Sequence, residues 1–332
     1  MIIASEVAER DSVCPLISGS EIRTQYKQAG IEVLNLGARE FPFHPAPLSL
    51  PCAMSPPTDS LPIPPNDHER NTLQRATAVP ATIGLDASDA ERVPPSIYGS
   101  RKALLSLDIV LVGCGIGGLS AAFCLTQAGH RVTIIESSRV VGEIGAGMQL
   151  SPNTTRLLRK WGLGNHLEKI AVRPEGVAYR RYNTGELLGF TKWGLDLERD
   201  YGAPYYHIHR ADLHKLLYDL VSPHVTIRLG STVVGCDPGP ASPSVTLESG
   251  EVIRADLIIG ADGVKSYIQR VVLGRANPVE FTGDAVYRMT IPTSSMMQDP
   301  ELREFVERPR MNAWVGPWKC LVVYPIVRPR PS

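Results

Sequence analysis

The stretch from Leu107 to Glu136 constrains this chain more than any other part of its sequence. It opens with an apolar, largely β-branched run, Ile109–Val112, which is typical of a strand buried on both faces of a parallel sheet. Three glycines spaced G-x-G-x-x-G follow, then good helix formers at Leu119–Gln127 and a second apolar run at Arg131–Ile135. The order strand, tight turn, helix, strand predicts a βαβ unit.

Each glycine of this turn has a physical reason to be there if the unit binds a dinucleotide. Gly113 allows the sharp turn, Gly115 lets the backbone approach a pyrophosphate, and Gly118 lets the helix pack closely on the strand. Glu136, at the end of the second strand, is placed to accept hydrogen bonds from a ribose hydroxyl. An acidic residue there disfavours a 2′-phosphate, so the pattern predicts FAD or NAD at this site. A βαβ unit without a nucleotide is the alternative, because glycine-rich turns are common.

Composition narrows the classes of function. Lysine plus arginine and aspartate plus glutamate both number 34, so no net charge favours nucleic acid or an anionic membrane as a partner. The six cysteines are scattered without a C-x-x-C pair, which indicates reduced thiols in a cytoplasmic protein. The long apolar run Ile109–Leu125 contains the glycine turn, and we therefore predict no membrane span.

Residues 1–100 differ in composition from the rest of the chain. Prolines are dense between Phe41 and Pro65, which forbids helix interiors and central strands there. We predict a proline-rich, largely disordered extension, in which only Glu21–Leu34 is compatible with a short helix and strand. A docking motif for a proline-recognising partner is the alternative.

Helical and strand patterns alternate beyond Glu136, after a glycine-rich loop from Gly142 to Gly147. The hairpin expected around Asn183 indicates that antiparallel sheet begins outside the nucleotide fold. We predict helices at Thr154–Trp161, Arg210–Leu220 and Ser266–Val272, and strands at Val177–Arg181, Leu187–Lys192, Val225–Leu229, Val233–Cys236, Ser244–Leu247, Val252–Ala255, Leu257–Ile259, Ala285–Ile291 and Lys319–Val327.

Four polar residues are candidates for contact with a ligand. Asp262 ends a predicted strand, where ligands bind in open α/β sheets, although capping the next helix is the alternative role. Arg210, at a helix N-terminus, is either a surface charge or a ligand for phosphate or ribityl oxygens. Arg288 and Tyr324 have side chains long enough to reach a ligand between domains, with surface or packing roles as alternatives.

Three histidines, His207, His209 and His214, are close enough in sequence to be considered as metal ligands. They straddle a change from strand to helix, and no acidic or cysteine partner is close by. We therefore predict a chance cluster and no metal site.

In combination, these segments resemble the FAD-dependent aromatic hydroxylases, particularly the salicylate-hydroxylase-like flavoprotein monooxygenases. The resemblance covers residues from about 105 to 327 and rests on four segments in a fixed order. They are VGCGIGGLSAAFCLTQAGHRVTIIE, GEIGAGMQLSPNTTRLLRKWGL, HRADLHKLL and LIIGADGVKSYIQR. The fold that this implies is α/β, with a Rossmann-like FAD-binding domain at 104–171 and 205–278 and a second, mostly antiparallel β-sheet substrate domain at 172–204 and 279–332.

The resemblance also implies roles for individual residues. Gly147 and Gln149 would lie along the flavin-proximal loop, Arg210 would contact FAD, and Asp262 would belong to a motif that helps to hold FAD and to handle NAD(P)H. Arg288 and Tyr324 match positions that orient a phenolic substrate in some members of the family. The residues that the resemblance assigns to the cofactor are Gly113, Gly115, Gly118, Glu136, Gly147, Gln149, Arg210 and Asp262.

The implied reaction uses FAD as cofactor and NAD(P)H and O2 as co-substrates. NAD(P)H reduces FAD, and a flavin C4a-hydroperoxide then delivers oxygen to the electron-rich ring of an aromatic small molecule. A cationic Arg288 would favour the phenolate form of that substrate, with Tyr324 hydrogen-bonding the same oxygen. A role in secondary metabolite biosynthesis is an expectation from the same resemblance.

Two features depart from the pattern of that family. The N-terminal extension has no counterpart there, and the family continues beyond the Tyr324 segment into a second flavin motif that begins with Gly-Asp. Gly283-Asp284 comes too early for this motif and precedes a predicted strand. Three alternatives therefore stay open: an inactive truncated remnant, a NAD-linked dehydrogenase with the same βαβ unit, or an interaction protein acting through its N-terminal extension.

Overall fold

The computed structural model describes residues 98–99, 101–142, 146–280, 286–317 and 319–326, so nearly all of the predicted extension lies outside it. The strands are β1 Asp108–Val112, β2 Arg131–Ile135, β3 Gly147–Leu150, β4 Gly176–Arg181, β5 Leu187–Lys192, β6 Tyr206–His209, β7 Thr226–Arg228, β8 Val233–Asp237, β9 Ser244–Leu247, β10 Val252–Arg254, β11 Leu257–Gly260, β12 Met311–Gly316 and β13 Lys319–Val323. The α-helices are α1 Ile116–Ala128, α2 Pro152–Lys160, α3 Gly164–Ile170, α4 Gly194–Tyr201, α5 Arg210–Val221, α6 Tyr267–Leu273, α7 Thr293–Gln298 and α8 Pro300–Glu307.

A parallel sheet with strand order β11–β1–β2–β7 forms around the first strand. Ile109 and Leu111 face a core shared with α1 and α5, whereas Val110 and Val112 face a second core shared with β9 and α6. This alternation is the period of two that a strand imposes on its side chains. The predicted strand buried on both faces is therefore confirmed, and it fixes the edge of the sheet at which the glycine turn begins.

A second sheet, of strand order β13–β12–β4–β5, is built mainly from antiparallel pairs. The hairpin β4–β5 matches the predicted one, and Gly185 takes φ +71° in its turn. β12 pairs parallel with β4, so this sheet joins parts of the chain that are far apart in sequence. A separate antiparallel sheet, β10–β9–β8, covers one face of the parallel sheet.

A short antiparallel ribbon, β3–β6, carries several of the candidate residues. Its register pairs Gly147 with His209 and Gln149 with His207. The chain passes directly from β6 into α5, so Arg210 lies at the end of the ribbon beside Gly147, and its backbone N–H donates to the carbonyl of Ala146 at 3.1 Å.

Three predictions about local structure were wrong or need correction. Residues 286–291 form no regular strand, and Val286 and Tyr287 are more than half exposed, so no second face of apolar packing supports one. The strand predicted at Lys319–Val327 ends at Val323, and Tyr324 follows it next to Pro325, which lacks the N–H that a ladder requires. The loop predicted from Gly142 to Gly147 gives way to β3 at Gly147.

Within the described residues, none of the helices combines the length and the apolar character that crossing a bilayer requires.

Candidate functional site

The glycine turn between β1 and α1 is held by close backbone packing. Gly113 adopts φ +104°, and a Cβ placed there would lie 2.3 Å from the carbonyl oxygen of Ala261. A Cβ on Gly118 would lie 2.0 Å from the carbonyl oxygen of Gly113, so the helix can approach the strand only without a side chain at that position. Gly115, in contrast, has extended backbone angles, and no atom of the described residues lies within 4 Å of its virtual Cβ.

Glu136 points back toward this turn from the end of β2. Its Oε2 accepts the backbone N–H of Cys114 at 2.7 Å, and its Oε1 accepts the backbone N–H of Ser138 at 2.8 Å. Oε1 also accepts the Ser137 hydroxyl at 3.2 Å, so the capacity for a further donor lies mainly at Oε2. The carboxylate is therefore fixed at the mouth of the turn and open to hydroxyl groups.

A cleft runs between the glycine turn and the segment after β2. Helix α1 begins here at the N-cap Gly115 without a side-chain cap, and the positive end of its dipole therefore faces the cleft. An acceptor for ribose hydroxyls and a bare helix N-terminus for a diphosphate fit the adenosine half of a dinucleotide. The residues that line the cleft are Cys114, Gly115, Glu136, Ser138, Val140, Val141, Gly142, His214 and Leu229.

Helix α5 contacts the glycine turn through His214. Its Nε2 lies 2.8 Å from the carbonyl oxygen of buried Cys114, and because that oxygen only accepts, Nε2 carries the hydrogen. Burial and the charge of Glu136 raise the pKa of the Cys114 thiol to about 11. The thiol is therefore neutral and inert, and its backbone is what the cleft uses.

Asp262 follows β11 and lies against the same turn, since the backbone of Ala261 and Asp262 is what a Cβ on Gly113 would meet. Its carboxylate is fully engaged in its own segment. Oδ2 accepts the N–H groups of Tyr267 at 2.6 Å and Ile268 at 3.1 Å, and Oδ1 accepts the Ser266 hydroxyl. The structure thus gives Asp262 the helix-capping role that the sequence offered as the alternative to a role at the cofactor.

Gln149 connects the ribbon with the other pair of candidate residues. It accepts a hydrogen bond from the Tyr205 hydroxyl, donates from Nε2 to Met311 Sδ at 3.2 Å, and also hydrogen-bonds Tyr324. Arg288, which is exposed, acts electrostatically on Tyr324. The structure therefore places Gln149 beside Tyr324, with Arg288 near enough to act on Tyr324 electrostatically, whereas Gly147 and Arg210 lie at the far end of the same ribbon.

The aromatic groups around Tyr324 are largely desolvated. Burial raises the pKa of Tyr324, and the hydrogen bond with Gln149 and the charge of Arg288 oppose that rise only in part. Burial and the neighbouring Tyr324 raise the pKa of Tyr205 to about 12. His207 packs against Tyr324 with ring centroids 4.5 Å apart, and burial lowers its pKa to about 3. At neutral pH this group holds two neutral phenols and a neutral imidazole.

The sequence did not assign roles to several residues of the cleft at the glycine turn and of the aromatic group around Tyr324. The three histidines have three separate structural positions: His207 packs on Tyr324, His209 accepts the N–H of Ala211 at the start of α5, and His214 holds the glycine turn. The helical position of His214 relative to Leu213 and Leu217 indicated an inward side chain. Tyr205 carried no sequence signal, because its partner Gln149 is brought close only by the pairing of β3 with β6.

Fold and cleft together define a dinucleotide-binding protein of the βαβ class. The chain belongs to the family described as FAD binding domain, which matches residues 106–325. This confirms FAD as the cofactor, the α/β fold with its further sheets, and the resemblance to FAD-dependent hydroxylases that the four segments indicated.

Curated relatives carry names that state their activities. A 3-amino-4-hydroxybenzoate 2-monooxygenase of Streptomyces platensis, PtnB3, is 34% identical over 220 residues, which are 66% of this chain and 53% of that protein. The FAD-dependent monooxygenase OpS4 of Beauveria bassiana is 34% identical over 226 residues, 66% of this chain and 52% of that protein. This chain thus spans about half the length of the curated relatives it matches.

Solved structures share the fold at low identity. The crystal structure of CtdE with FAD and a substrate has a TM-score of 0.58 at 20% identity, over 68% of this chain and 58% of that one. The complex of Klebsiella pneumoniae HpxO with FAD and uric acid has a TM-score of 0.52 at 21% identity, also over 68% and 58%.

Proposed function

We propose that the cleft beside the glycine turn holds the adenosine and diphosphate part of FAD. The observation that carries this proposal is the joint position of Glu136 and Gly115 on one cleft, with a helix N-terminus between them. Glu136 would accept hydrogen bonds from the ribose hydroxyls. The N–H groups at the start of α1 would face the diphosphate, and Gly113 and Gly118 would keep the turn tight enough for this approach.

The remaining cofactor residues belong to the flavin end in this proposal. Gly147 would let the backbone lie against the ring system, with Gln149 two residues further along the strand. Arg210 would contact FAD from the start of α5, and Asp262 would act through its backbone position beside Gly113. The β3–β6 ribbon supports this arrangement because it brings Gly147 and Arg210 to the same end.

We further propose that the whole protein is an FAD-dependent monooxygenase for an aromatic small molecule. When bound, FAD would supply the redox chemistry that couples the two-electron oxidation of NAD(P)H to the insertion of one oxygen atom of O2 into the ring, the other leaving as water. The names of curated relatives, which include hydroxybenzoate monooxygenases, support an aromatic acid or phenol as substrate. A place in secondary metabolism belongs to the same proposal.

The protein's own contribution at the aromatic end would be binding and polarisation. Tyr324 and Arg288 would hold an oxygen substituent of the ring, and the positive charge of Arg288 would favour its anionic form. The buried ring of His207 would keep water away from one side of Tyr324. Arg288 and Tyr324 are the catalytic residues that we propose.

The proposal also includes a division of the chain into domains and a location in the cell. The division into an FAD-binding domain (104–171 and 205–278) and a substrate domain (172–204 and 279–332) is supported by the sheets, because β1, β2, β7 and β11 come from the first and β4, β5, β12 and β13 from the second. A cytoplasmic location is supported by Cys114, Cys124, Cys236 and Cys320, all of which are free thiols.

The decisive experiment uses the full chain. Purified protein, incubated with FAD and freed of excess, is expected to release flavin on denaturation, and to oxidise NADH or NADPH faster when a hydroxybenzoate is present, with a hydroxylated product. Flavin binding without stimulated oxidation would favour the remnant. A chain that binds NAD but no flavin would overturn the proposal.

A further inference from the structure

The carboxamide of Gln149 occupies the centre of a small polar group at the aromatic end. A carboxamide has one end that accepts and one that donates hydrogen bonds. The hydroxyl of Tyr205 donates to Oε1, so the accepting end faces Tyr205. The donating end, Nε2, then lies 3.2 Å from Met311 Sδ, and Met311 packs against the cluster that contains Tyr324. A thioether is a weak acceptor, so Met311 by itself does not explain this orientation.

Tyr205 is well placed to fix that orientation. Its ring stacks on Trp193 with centroids 4.4 Å apart and meets the ring of His207 edge-on at 5.9 Å. These two contacts restrict rotation of the ring. Burial raises the pKa of Tyr205 to about 12, so the hydroxyl keeps its hydrogen at neutral pH and can act only as a donor toward Oε1.

The consequence falls on Tyr324. The hydrogen bond with Gln149 acts to lower the pKa of Tyr324, which is what donation from an N–H to the phenol oxygen does. The hydroxyl hydrogen of Tyr324 then points away from Gln149. Arg288 adds positive charge at the same place. Gln149 Nε2, the Tyr324 hydroxyl and Arg288 therefore each present a donor or positive charge there, beside the neutral ring of His207.

We propose that Tyr205 is a positioning residue: by holding Oε1 of Gln149, it turns Nε2 toward Tyr324 and leaves the Tyr324 hydroxyl hydrogen for an acceptor atom on the bound ring molecule. The ring molecule rests on the proposed function, whereas the coupling of the three side chains does not. An acceptor such as a phenolate or carboxylate oxygen is favoured, and a ring amine, which presents donors, is disfavoured.

The coupling is tested by titrating Tyr324 in the full chain. Tyrosine labelled at the ring carbon that bears the hydroxyl reports ionisation by NMR, and Tyr324→Phe assigns its signal. In Tyr205→Phe the ring stack is kept but the amide can turn over, so the pKa of Tyr324 is expected to rise by about one pH unit. Gln149→Met, which has no amide, is expected to give a similar rise.

A double variant separates coupling from independent effects. If Tyr205 acts through Gln149, the Tyr205→Phe change adds nothing in the Gln149→Met background. His207 and Arg288, the other ionisable groups that act on Tyr324, are unchanged in every variant. Tyr206→Phe is the matched control, because it removes a hydroxyl from the next residue, which hydrogen-bonds Arg173, and should leave Tyr324 unaffected.

Two outcomes overturn the proposal: an unchanged Tyr324 titration in Tyr205→Phe, or shifts that add in the double variant. A binding measurement with benzoate as probe distinguishes this failure from failure of the proposed function. Benzoate affinity in the FAD-loaded chain is expected to fall about threefold to tenfold in Tyr205→Phe. Coupled titration without any benzoate binding in the parent chain would overturn the aromatic site while the coupling stands.

Discussion

Two glycines of the same turn are required for different physical reasons. Gly113 combines φ +104° with a virtual Cβ 2.3 Å from a backbone oxygen, so a side chain there is excluded by the fold itself. Gly115 has ordinary extended angles and open space around its virtual Cβ, and it lines the cleft. Among the described residues, a methyl group at Gly115 would meet no atom within 4 Å.

Alanine substitutions separate these two reasons. Gly113→Ala is expected to lower the free energy of unfolding by about 3 kcal/mol or more, because strain at a positive φ adds to a backbone clash. Gly115→Ala is expected to change it by less than about 1 kcal/mol, yet to weaken FAD binding at least roughly tenfold. Denaturant unfolding and flavin fluorescence titration measure the two quantities. Equal loss of stability in both variants would contradict this distinction.

Glu136 gives a second prediction at the residue scale. Glu136→Ala removes the acceptor that faces the cleft, so the Kd for FAD is expected to rise roughly tenfold to a hundredfold, as expected for hydrogen bonds to a charged group. Glu248→Ala, on an exposed position, is the control and should bind FAD as the parent chain does. An unchanged Kd in Glu136→Ala would show that the ribose lies elsewhere.

At the scale of elements, helix α6 depends on a side chain outside it. Asp262 accepts two N–H groups of its first turn, and Ser266 caps a third by accepting from Gln269 at 2.9 Å. A helix that spans only Tyr267–Leu273 has little intrinsic stability, so these caps are a large part of what holds it.

Asp262→Ala is therefore expected to destabilise the protein by about 1–2 kcal/mol, the usual cost of losing an N-cap. Hydrogen exchange should quicken in α6, the helix whose N–H groups Asp262 accepts, and stay unchanged in α1. Ser266→Ala, which keeps the two bonds to Asp262 Oδ2, should cost less. If Asp262→Ala weakened FAD binding without affecting α6, the cofactor role would outweigh the cap.

Elements were predictable from sequence where burial is two-sided or the period is strong. β1, α1, β2 and α5 follow directly from their apolar patterns. β12 was missed, because its parallel partner β4 lies far away in sequence and local pattern carries no information on long-range pairing. The short helices α3, α4, α7 and α8 lack enough turns for a clear period. The part of the site at the glycine turn was predictable, because residues close in sequence form it. The role of Tyr205 was not, because the pairing of β3 with β6 is what brings Tyr205 close to Gln149.

At the scale of the whole molecule, His207 is the buried group whose ionisation most directly opposes folding. Its pKa falls from 6.5 to about 3 on burial, so the folded state resists a proton that the unfolded chain accepts. Between these values the unfolded state binds more protons, and the free energy of unfolding must fall as pH falls.

The pH dependence of stability is thus expected to weaken in His207→Phe. Between pH 7 and pH 5 the parent chain should lose about 2 kcal/mol more than this variant, since the unfolded state takes up one proton over most of that range. His224→Gln, at an exposed position, should retain the parent dependence. Parallel curves for the parent chain and His207→Phe would mean that His207 ionises equally in both states.

The register of β3 against β6 has a geometric consequence. Gly147 and Gln149, both assigned to the flavin end, are two residues apart on one strand, so about 7 Å of backbone that cannot stretch separates Gly147 from the amide beside Tyr324. Inserting one residue would invert every side chain beyond it. If the proposed function holds, aromatic molecules of different size would be accommodated by changes in the surrounding side chains, because this backbone spacing stays constant.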